Sequence, residues 1–195
     1  MNFYYVQSDD KYAFAKYIDG GEKNYICESC KRVYQIDRIS DFQVQFIGKK
    51  QADFYRSPGC YIGNRKFTDM LAKYEIKGYR LRDIDFKGWV DKRNNPVDND
   101  ASDLQEIEIM GRCGKMCYLN GDVIPGCEEC GLVNFFKLGR VQGVSVDESA
   151  WDGSDIFAFD NKPAVMICSE RLKVACENEK IKGIFFIPLQ KYLMY

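Results

Sequence analysis

Four cysteines form two Cys-x-x-Cys pairs, and these residue types at this spacing are suited to binding a metal. Cys27 and Cys30 lie in Cys-Glu-Ser-Cys, and Cys127 and Cys130 follow one hundred residues later in Cys-Glu-Glu-Cys-Gly. A structural zinc ion takes four thiolates in a tetrahedron, and two such pairs supply four. The chain contains no His, so the ligands of a zinc site here must be mainly cysteines. The sequence therefore predicts a structural Zn²⁺ site on these four residues.

Other uses of the cysteines stay open at this stage. Cys113 and Cys117 could replace the first pair and form a four-thiolate site with the second pair. A redox-active dithiol at the first pair would need a helix N-terminus that lowers its pKa, and the acidic neighbour Glu28 works against it. The remaining alternative is a set of buried thiols that bind no metal. Nine cysteines without a secretion signal favour a reducing cytoplasm over disulfides.

Residues suited to catalysis are scarce. The chain has no His base, no phosphate-binding Gly-x-x-x-x-Gly-Lys loop and no nucleophile elbow. Acidic pairs such as Glu106 with Glu108 fit solvated strand or turn faces better than general acid–base pairs. No apolar run approaches the roughly 20 residues that cross a bilayer. We therefore expect a cytoplasmic protein that is not an enzyme.

The elements around the cysteine pairs recur along the chain. A shift of 105 residues places Ile62–Phe67 on Ile167–Leu172 and Ile76–Tyr79 on Ile181–Ile184 without a gap. In each copy a capping residue precedes an amphipathic helix, and a glycine follows the helix. The caps are Asn64 and Ser169, the apolar stripes are Phe67, Met70, Leu71, Tyr74 and Leu172, Ala175, Cys176, and the glycines are Gly78 and Gly183.

This repeat predicts an α+β fold made of two similar strand-rich halves. Each half holds one cysteine pair and about one helix, and the halves, residues 1–97 and 98–195, pack as one pseudo-symmetric unit. The polar, turn-rich segment 91–100 marks the boundary. Strands are predicted in both halves, with the last of them covered on both faces: Met1–Gln7, Phe42–Ile47, Tyr79–Ile84, Val133–Leu138, Val141–Val146 and Ile184–Ile187.

Charge is distributed unevenly along the chain. The balance of Lys and Arg against Asp and Glu is +5 in residues 1–97, −9 in residues 98–160 and +3 in residues 161–195. An acidic segment favours a basic partner, although solvated acidic loops would give the same count. Nucleic-acid binding would need a basic surface, for which Lys31-Arg32 and Lys49-Lys50 are the candidates, while Glu128 and Glu129 argue against it in the second half.

The cysteine pairs together with the C-terminal block resemble the double-CXXCG motif immunity proteins of bacterial polymorphic-toxin systems. The matching block runs from Ser169-Glu170-Arg171-Leu172 to Ile181–Leu189, and Lys31 stands where the family pattern has Gly. The resemblance implies a cytosolic, non-enzymatic protein that binds and neutralises a cognate toxin domain. The alternative from another class is a zinc-ribbon protein that binds nucleic acid or has a regulatory role.

The acidic segment could cover the basic cleft of a nuclease-type toxin and speed association. Within it we expect Trp151 to be an aromatic anchor, because a loop position beside Asp152 and Asp155 would favour exposure. Weaker aromatic candidates are Tyr118, Phe135 and Phe157. The predicted partner-binding residues are Asp147, Glu148, Trp151, Asp152 and Asp155.

Overall fold

The computed structural model describes residues 1–19, 22–57, 59–134 and 138–194. It contains many short strands and two helices of nine residues, which confirms the α+β class. The strands in chain order are β1 (Phe3–Ser8), β2 (Phe14–Asp19), β3 (Glu22–Ile26), β4 (Val33–Arg38), β5 (Phe42–Ile47), β6 (Phe54–Ser57), β7 (Cys60–Gly63), β8 (Tyr79–Arg82), β9 (Ile84–Val90), β10 (Gln105–Ile109), β11 (Gly111–Arg112), β12 (Val141–Gln142), β13 (Ile156–Phe159), β14 (Lys162–Ser169), β15 (Ile184–Pro188) and β16 (Leu193–Met194). The helices are α1 (Arg65–Lys73) and α2 (Glu170–Asn178), and a 3₁₀ turn spans Leu189–Lys191.

The sheets join the beginning of the chain to its end. A five-stranded sheet has the order β11-β13-β14-β1-β15, and a four-stranded sheet has the order β6-β7-β10-β8. A three-stranded sheet, β2-β5-β9, and two ribbons, β3-β4 and β12-β16, complete the described strands. The strand β1 thus lies between two strands of residues 98–195, while β10 lies between two strands of residues 1–97.

The two helices form where the capping residues and apolar stripes predict them. The side chain of Asn64 accepts a hydrogen bond from the amide of Phe67, and Phe67, Met70 and Leu71 are buried. In α2 the apolar positions of the stripe are likewise buried. Ser169 has the predicted N-cap position of α2, but its side chain makes no capping hydrogen bond. Its hydroxyl donates instead to a carboxylate of Asp155, 2.7 Å away.

Asp53 fixes the start of β6 to the end of the chain. Its carboxylate accepts hydrogen bonds from the Lys182 amide at 2.8 Å and from the Asn64 side chain at 3.1 Å. Lys66 approaches the same carboxylate to 3.2 Å. Because Asp53 is buried, each of these bonds compensates part of the cost of removing a charge from water.

Asp155 has the corresponding place before β13. Its carboxylate accepts hydrogen bonds from the Lys77 amide at 3.0 Å and from the Ser169 hydroxyl, and Arg171 lies 3.4 Å away. Asp155 is 5% exposed. At Asp155 the amide donor, Lys77, lies in residues 1–97 and the acceptor lies in residues 98–195. At Asp53 the acceptor lies in residues 1–97 and the amide donor, Lys182, lies in residues 98–195.

The glycine after each helix is required by a close approach of two chain segments. Gly78 has φ +94°, and a Cβ there would lie 2.0 Å from the carbonyl oxygen of Ile156. Gly183 has φ +84°, and a Cβ there would lie 2.6 Å from the carbonyl oxygen of Phe54. A side chain at either position would therefore push apart the segments that the aspartates hold together.

Several strand predictions need correction. The predicted strand Val141–Val146 ends at Gln142, because Gly143 turns the chain with φ +73°. The strand Ile184–Pro188 is only partly covered, since it is the outer strand of its sheet and Phe185 is 39% exposed. Of the predicted strand Val133–Leu138, residues 135–137 lie outside the described residues, and Val133 makes an isolated bridge to Gly126.

Three buried clusters form the core. One contains residues of both helices and of the two larger sheets, the second contains residues of the three-stranded sheet, and the third joins β1 to the loops around residues 113–146. Among the described residues, no helix is long and apolar enough to cross a membrane.

Candidate metal centre

The four predicted zinc ligands meet at one point. The Sγ atoms of Cys27 and Cys127 are 3.7 Å apart, those of Cys30 and Cys130 are 3.6 Å apart, and all four lie within 4.8 Å of one another. A tetrahedron with Zn–S bonds of about 2.3 Å has edges of about 3.8 Å. The observed separations fit those edges and are far longer than a disulfide bond of about 2.0 Å. The four side chains therefore lie close enough to hold one metal ion.

The first knuckle, residues 27–32, is the turn between β3 and β4. The amide of Lys31 donates to the carbonyl of Cys27, and the amide of Cys27 donates to the carbonyl of Arg32, both at 2.9 Å. Lys31 has φ +57°, the left-handed conformation that the Cys-x-x-Cys turn needs and that Gly adopts most readily. The sequence predicts that this turn has either a residue other than Gly in the left-handed conformation or a looser geometry, and the first alternative is formed, at Lys31.

The second knuckle, residues 127–132, repeats the same turn. The amide of Gly131 donates to the carbonyl of Cys127 at 2.8 Å, and the amide of Cys127 donates to the carbonyl of Leu132 at 2.9 Å. Gly131 has φ +76° and supplies the left-handed position without steric cost. Both turns thus aim two sulfurs and several backbone amides at the same point.

Residues next to the ligands hold the two knuckles against each other. The carboxylate of Glu129 accepts hydrogen bonds from the amides of Glu28 and Ser29, at 3.3 and 3.1 Å, and from the Ser29 hydroxyl. Arg32, at the end of the first knuckle, donates to the carbonyl of Val133 and to the side chain of Asn134, which follow the second knuckle. Contacts of this kind orient metal ligands from outside the coordination shell.

The surroundings of the sulfurs favour at least one thiolate. Hydrogen bonds from the amides of Cys130 and Glu129 lower the pKa of Cys127 to about 7. The amide of Cys30 also acts to lower the pKa of Cys27, but burial and the bond to the Cys30 thiol outweigh it and raise that pKa to about 12. One sulfur thus ionises readily while its neighbour keeps its proton. A metal ion would displace the remaining protons, since thiolates are the ligands.

Cys113 and Cys117 do not join this group. The Cys113 thiol is buried against the carbonyl of Ala158, and the Cys117 thiol lies 3.4 Å from the carbonyl of Lys115. Burial raises the pKa of both thiols, which disfavours metal binding there. Among the described residues the one group of potential metal ligands is the set of Cys27, Cys30, Cys127 and Cys130. The first pair also lies in a hairpin turn rather than at a helix N-terminus, so the geometry that a redox dithiol needs is not formed.

The predicted partner-binding residues fall into two groups. Asp155 is buried and serves the fold, as described above. Trp151 is half-buried rather than exposed, because its ring packs edge-on against Phe3 at 5.2 Å and its indole nitrogen donates to the carbonyl of Ser154. Trp151 is therefore less exposed than predicted, and Asp155, which was predicted to bind the partner, is buried.

The other acidic candidates are exposed. Asp147 accepts hydrogen bonds from Ser149, and Glu148 lies 3.3 Å from the amino group of Met1. Asp152 is exposed but also accepts from the amides of Arg112 and Ser154. Of the weaker aromatic candidates, Tyr118 is partly buried against the core, Phe157 is fully buried, and Phe135 lies outside the described residues.

Sequence reasoning missed three residues that support the centre. Glu129 reads as a solvated acid within its motif, although its position two residues after Cys127 places it beside the facing turn. Arg32 carries no signal of its contact with Val133, because the two residues lie 101 positions apart. Arg38, which forms a buried ion pair with Glu106, is likewise invisible to a local pattern.

The chain was compared with protein-family models and with curated proteins, and neither comparison found a match.

Proposed function

We propose that this chain is a non-enzymatic binding protein, clamped by one structural Zn²⁺, that neutralises a cognate toxin domain in the cytoplasm. The observation that carries the zinc assignment is the convergence of four sulfurs within 4.8 Å of one another, contributed equally by two knuckles far apart in the chain. Four thiolates complete the coordination of zinc and leave no position for a substrate, which favours scaffolding over catalysis. The immunity role rests on the resemblance of the cysteine pairs and the C-terminal block to that family.

We further propose that the two halves, residues 1–97 and 98–195, are copies of one unit that exchange their first strands. Matching features support this. Helices α1 and α2 each span nine residues and start 105 positions apart. The strands β1 and β10 are each flanked by the strands that precede and follow the other half's helix. Asp53 and Asp155 accept from the amides of Lys182 and Lys77, which are themselves 105 positions apart.

The toxin-binding surface in this proposal is the exposed acidic group of Asp147, Glu148 and Asp152. These residues lie in the segment with a charge balance of −9, which would attract a basic nuclease-type domain and speed its association. Trp151 contributes the exposed part of a ring whose other face packs on the core. Asp155 is left out of the surface, because its buried carboxylate is engaged by Ser169 and Arg171.

Co-expression with candidate toxin domains, chosen from genes adjacent to the one for this chain, tests the proposal. We expect the wild-type chain to restore growth and the double variant Asp147→Lys, Glu148→Lys to lose most of that protection, because two attractions become repulsions. Asp69→Lys is the matched control, since Asp69 is an exposed acid on α1, and it should protect like the wild type. Full protection by the double variant would remove this surface from the interface, and no protection by the wild-type chain would contradict the immunity role.

A further inference from the structure

The ribbon of β3 and β4 carries an unusual share of exposed apolar side chains. Seven of the fourteen large hydrophobic residues that are exposed in the described part of the chain lie between residues 14 and 39. On the ribbon itself Ile26, Val33, Tyr34 and Ile36 are between 40% and 56% exposed. Concentrated apolar exposure of this kind marks a contact surface for another chain.

The outer edge of β4 is open as well as apolar. Residues 33–37 are exposed in succession, and among the described strands β4 pairs only with β3. Natural edge strands are usually protected by Lys, Pro, a bulge or a covering loop. The stretch from Val33 to Ile36 contains no Lys and no Pro, and the bulge of the ribbon lies at its metal end, at Tyr34 in β4, which leaves the edge from Gln35 to Arg38 regular. This edge is therefore ready to pair with a further strand.

The ribbon is held firmly at both ends although it has little core of its own. Its tip carries Cys27 and Cys30, and its base carries Arg38, which forms a buried ion pair with Glu106. The Arg38 guanidinium also lies 3.7 Å from the ring centroid of Phe42. An edge fixed in this way loses little conformational entropy when it binds, which favours association.

We propose that β4 pairs antiparallel with β4 of a second copy of this chain, centred on Ile36. This inference goes beyond the toxin-neutralising role and does not depend on it. The register brings apolar residues opposite apolar residues and sets no like charges against each other. On the regular part of the edge the facing pairs are Ile36 with Ile36 and Gln35 with Asp37.

The self-complementary charge pattern is what selects a second copy as the occupant. Gln35 already donates to Asp37 within β4, at 3.0 Å, and can make the same bond across a twofold axis. The ribbon carries no surplus of one charge, with Glu22 and Asp37 balanced by Lys23 and Arg38, so a strongly charged foreign strand is not favoured.

Sedimentation equilibrium of the zinc-loaded full chain tests this dimer. We expect a concentration-dependent mass that rises to twice the 22.6 kDa of one chain. Ile36→Glu should weaken dimerisation roughly 100-fold or more, because two isoleucines lose their burial and two carboxylates then face each other. Val174→Glu is the matched control, since Val174 is 44% exposed on α2, and it should dimerise like the wild type.

Hydrogen exchange gives a second readout that does not depend on a variant. Amides of residues 33–38 should exchange more slowly as the protein concentration rises, while those of β5 stay unchanged. A wild-type chain that remains a monomer at all concentrations overturns the proposal. So does an Ile36→Glu variant that dimerises as well as the wild type.

Discussion

The two knuckles have the same backbone but very different surroundings. Each closes with the same pair of amide hydrogen bonds, and each places one residue in the left-handed conformation, Lys31 or Gly131. The first knuckle lies at the tip of an exposed two-stranded ribbon. No residue of the second knuckle is itself buried, but Val133 directly after it is fully buried, while Val33 directly after the first is 40% exposed. The shared turn geometry is what the convergence of four sulfurs requires, whereas the residues around the two turns are free to differ.

A metal ion bound to the four cysteines would therefore stabilise the two knuckles to different extents. A two-stranded ribbon is marginally stable by itself in water, so the first knuckle depends on the site and on Arg38 for its position. The second knuckle is supported by a core that contains Ile124 and Val133. The same ion should therefore order one side of the centre far more than the other.

Removal of zinc should have the largest and most asymmetric effect. With a chelator we expect the amides of β3 and β4 to exchange at least about 1,000-fold faster, since structural zinc sites contribute roughly 10–16 kcal/mol to folding in small domains. The amides of β13 and β14 should change far less, because the buried core around them remains. Hydrogen exchange followed by mass spectrometry measures both regions in one sample. Equal loss of protection in both would break the comparison.

The second-largest expected effect is a difference in unfolding free energy between alanine substitutions at Val133 and at Val33, the valines beside the two knuckles. Val133→Ala removes two methyl groups from a fully buried site and should lower the free energy of unfolding by about 2 kcal/mol. Val33→Ala is its matched partner at a position exposed in the monomer and, at protein concentrations where the chain is monomeric, should change that free energy by less than about 0.5 kcal/mol. Urea denaturation of the zinc-loaded proteins measures both. A similar cost for the two substitutions would show that the ribbon is covered in solution.

The left-handed residues of the two turns give the smallest effect, with opposite signs. Lys31→Gly should raise the free energy of unfolding by about 0.5–1 kcal/mol, because Gly adopts φ +57° without strain. Gly131→Ala should lower it by about 1 kcal/mol for the same reason. Thermal unfolding at fixed zinc concentration compares them. A loss of stability in Lys31→Gly would show that the Lys31 side chain, which lies 3.2 Å from Glu28, stabilises more than its backbone costs.

Sequence patterns predicted those features that are determined by residues close together in the chain. Neighbouring residues predict the cap at Asn64, the apolar stripe of α1 and the bounds of β5. The grouping of the four cysteines follows from the four ligands that a tetrahedral metal site takes. Asp155 was misjudged because its partners, Lys77 and Ser169, reach it only through the fold. The pairing of β1 with β14 and β15 has the same origin, since an apolar strand does not encode which strands flank it.

The central claim is that one zinc ion joins the two knuckles through four thiolates. X-ray absorption at the zinc edge, combined with elemental analysis of the purified chain, tests it most directly. We predict one zinc per chain surrounded by four sulfurs at about 2.3 Å. Cys30→Ser and Cys130→Ser should each disrupt that shell, whereas Cys117→Ser should leave it intact. A purified protein that holds no zinc and yet protects the amides of β3 and β4 fully, or a shell with oxygen or nitrogen ligands in the wild type, would contradict the claim.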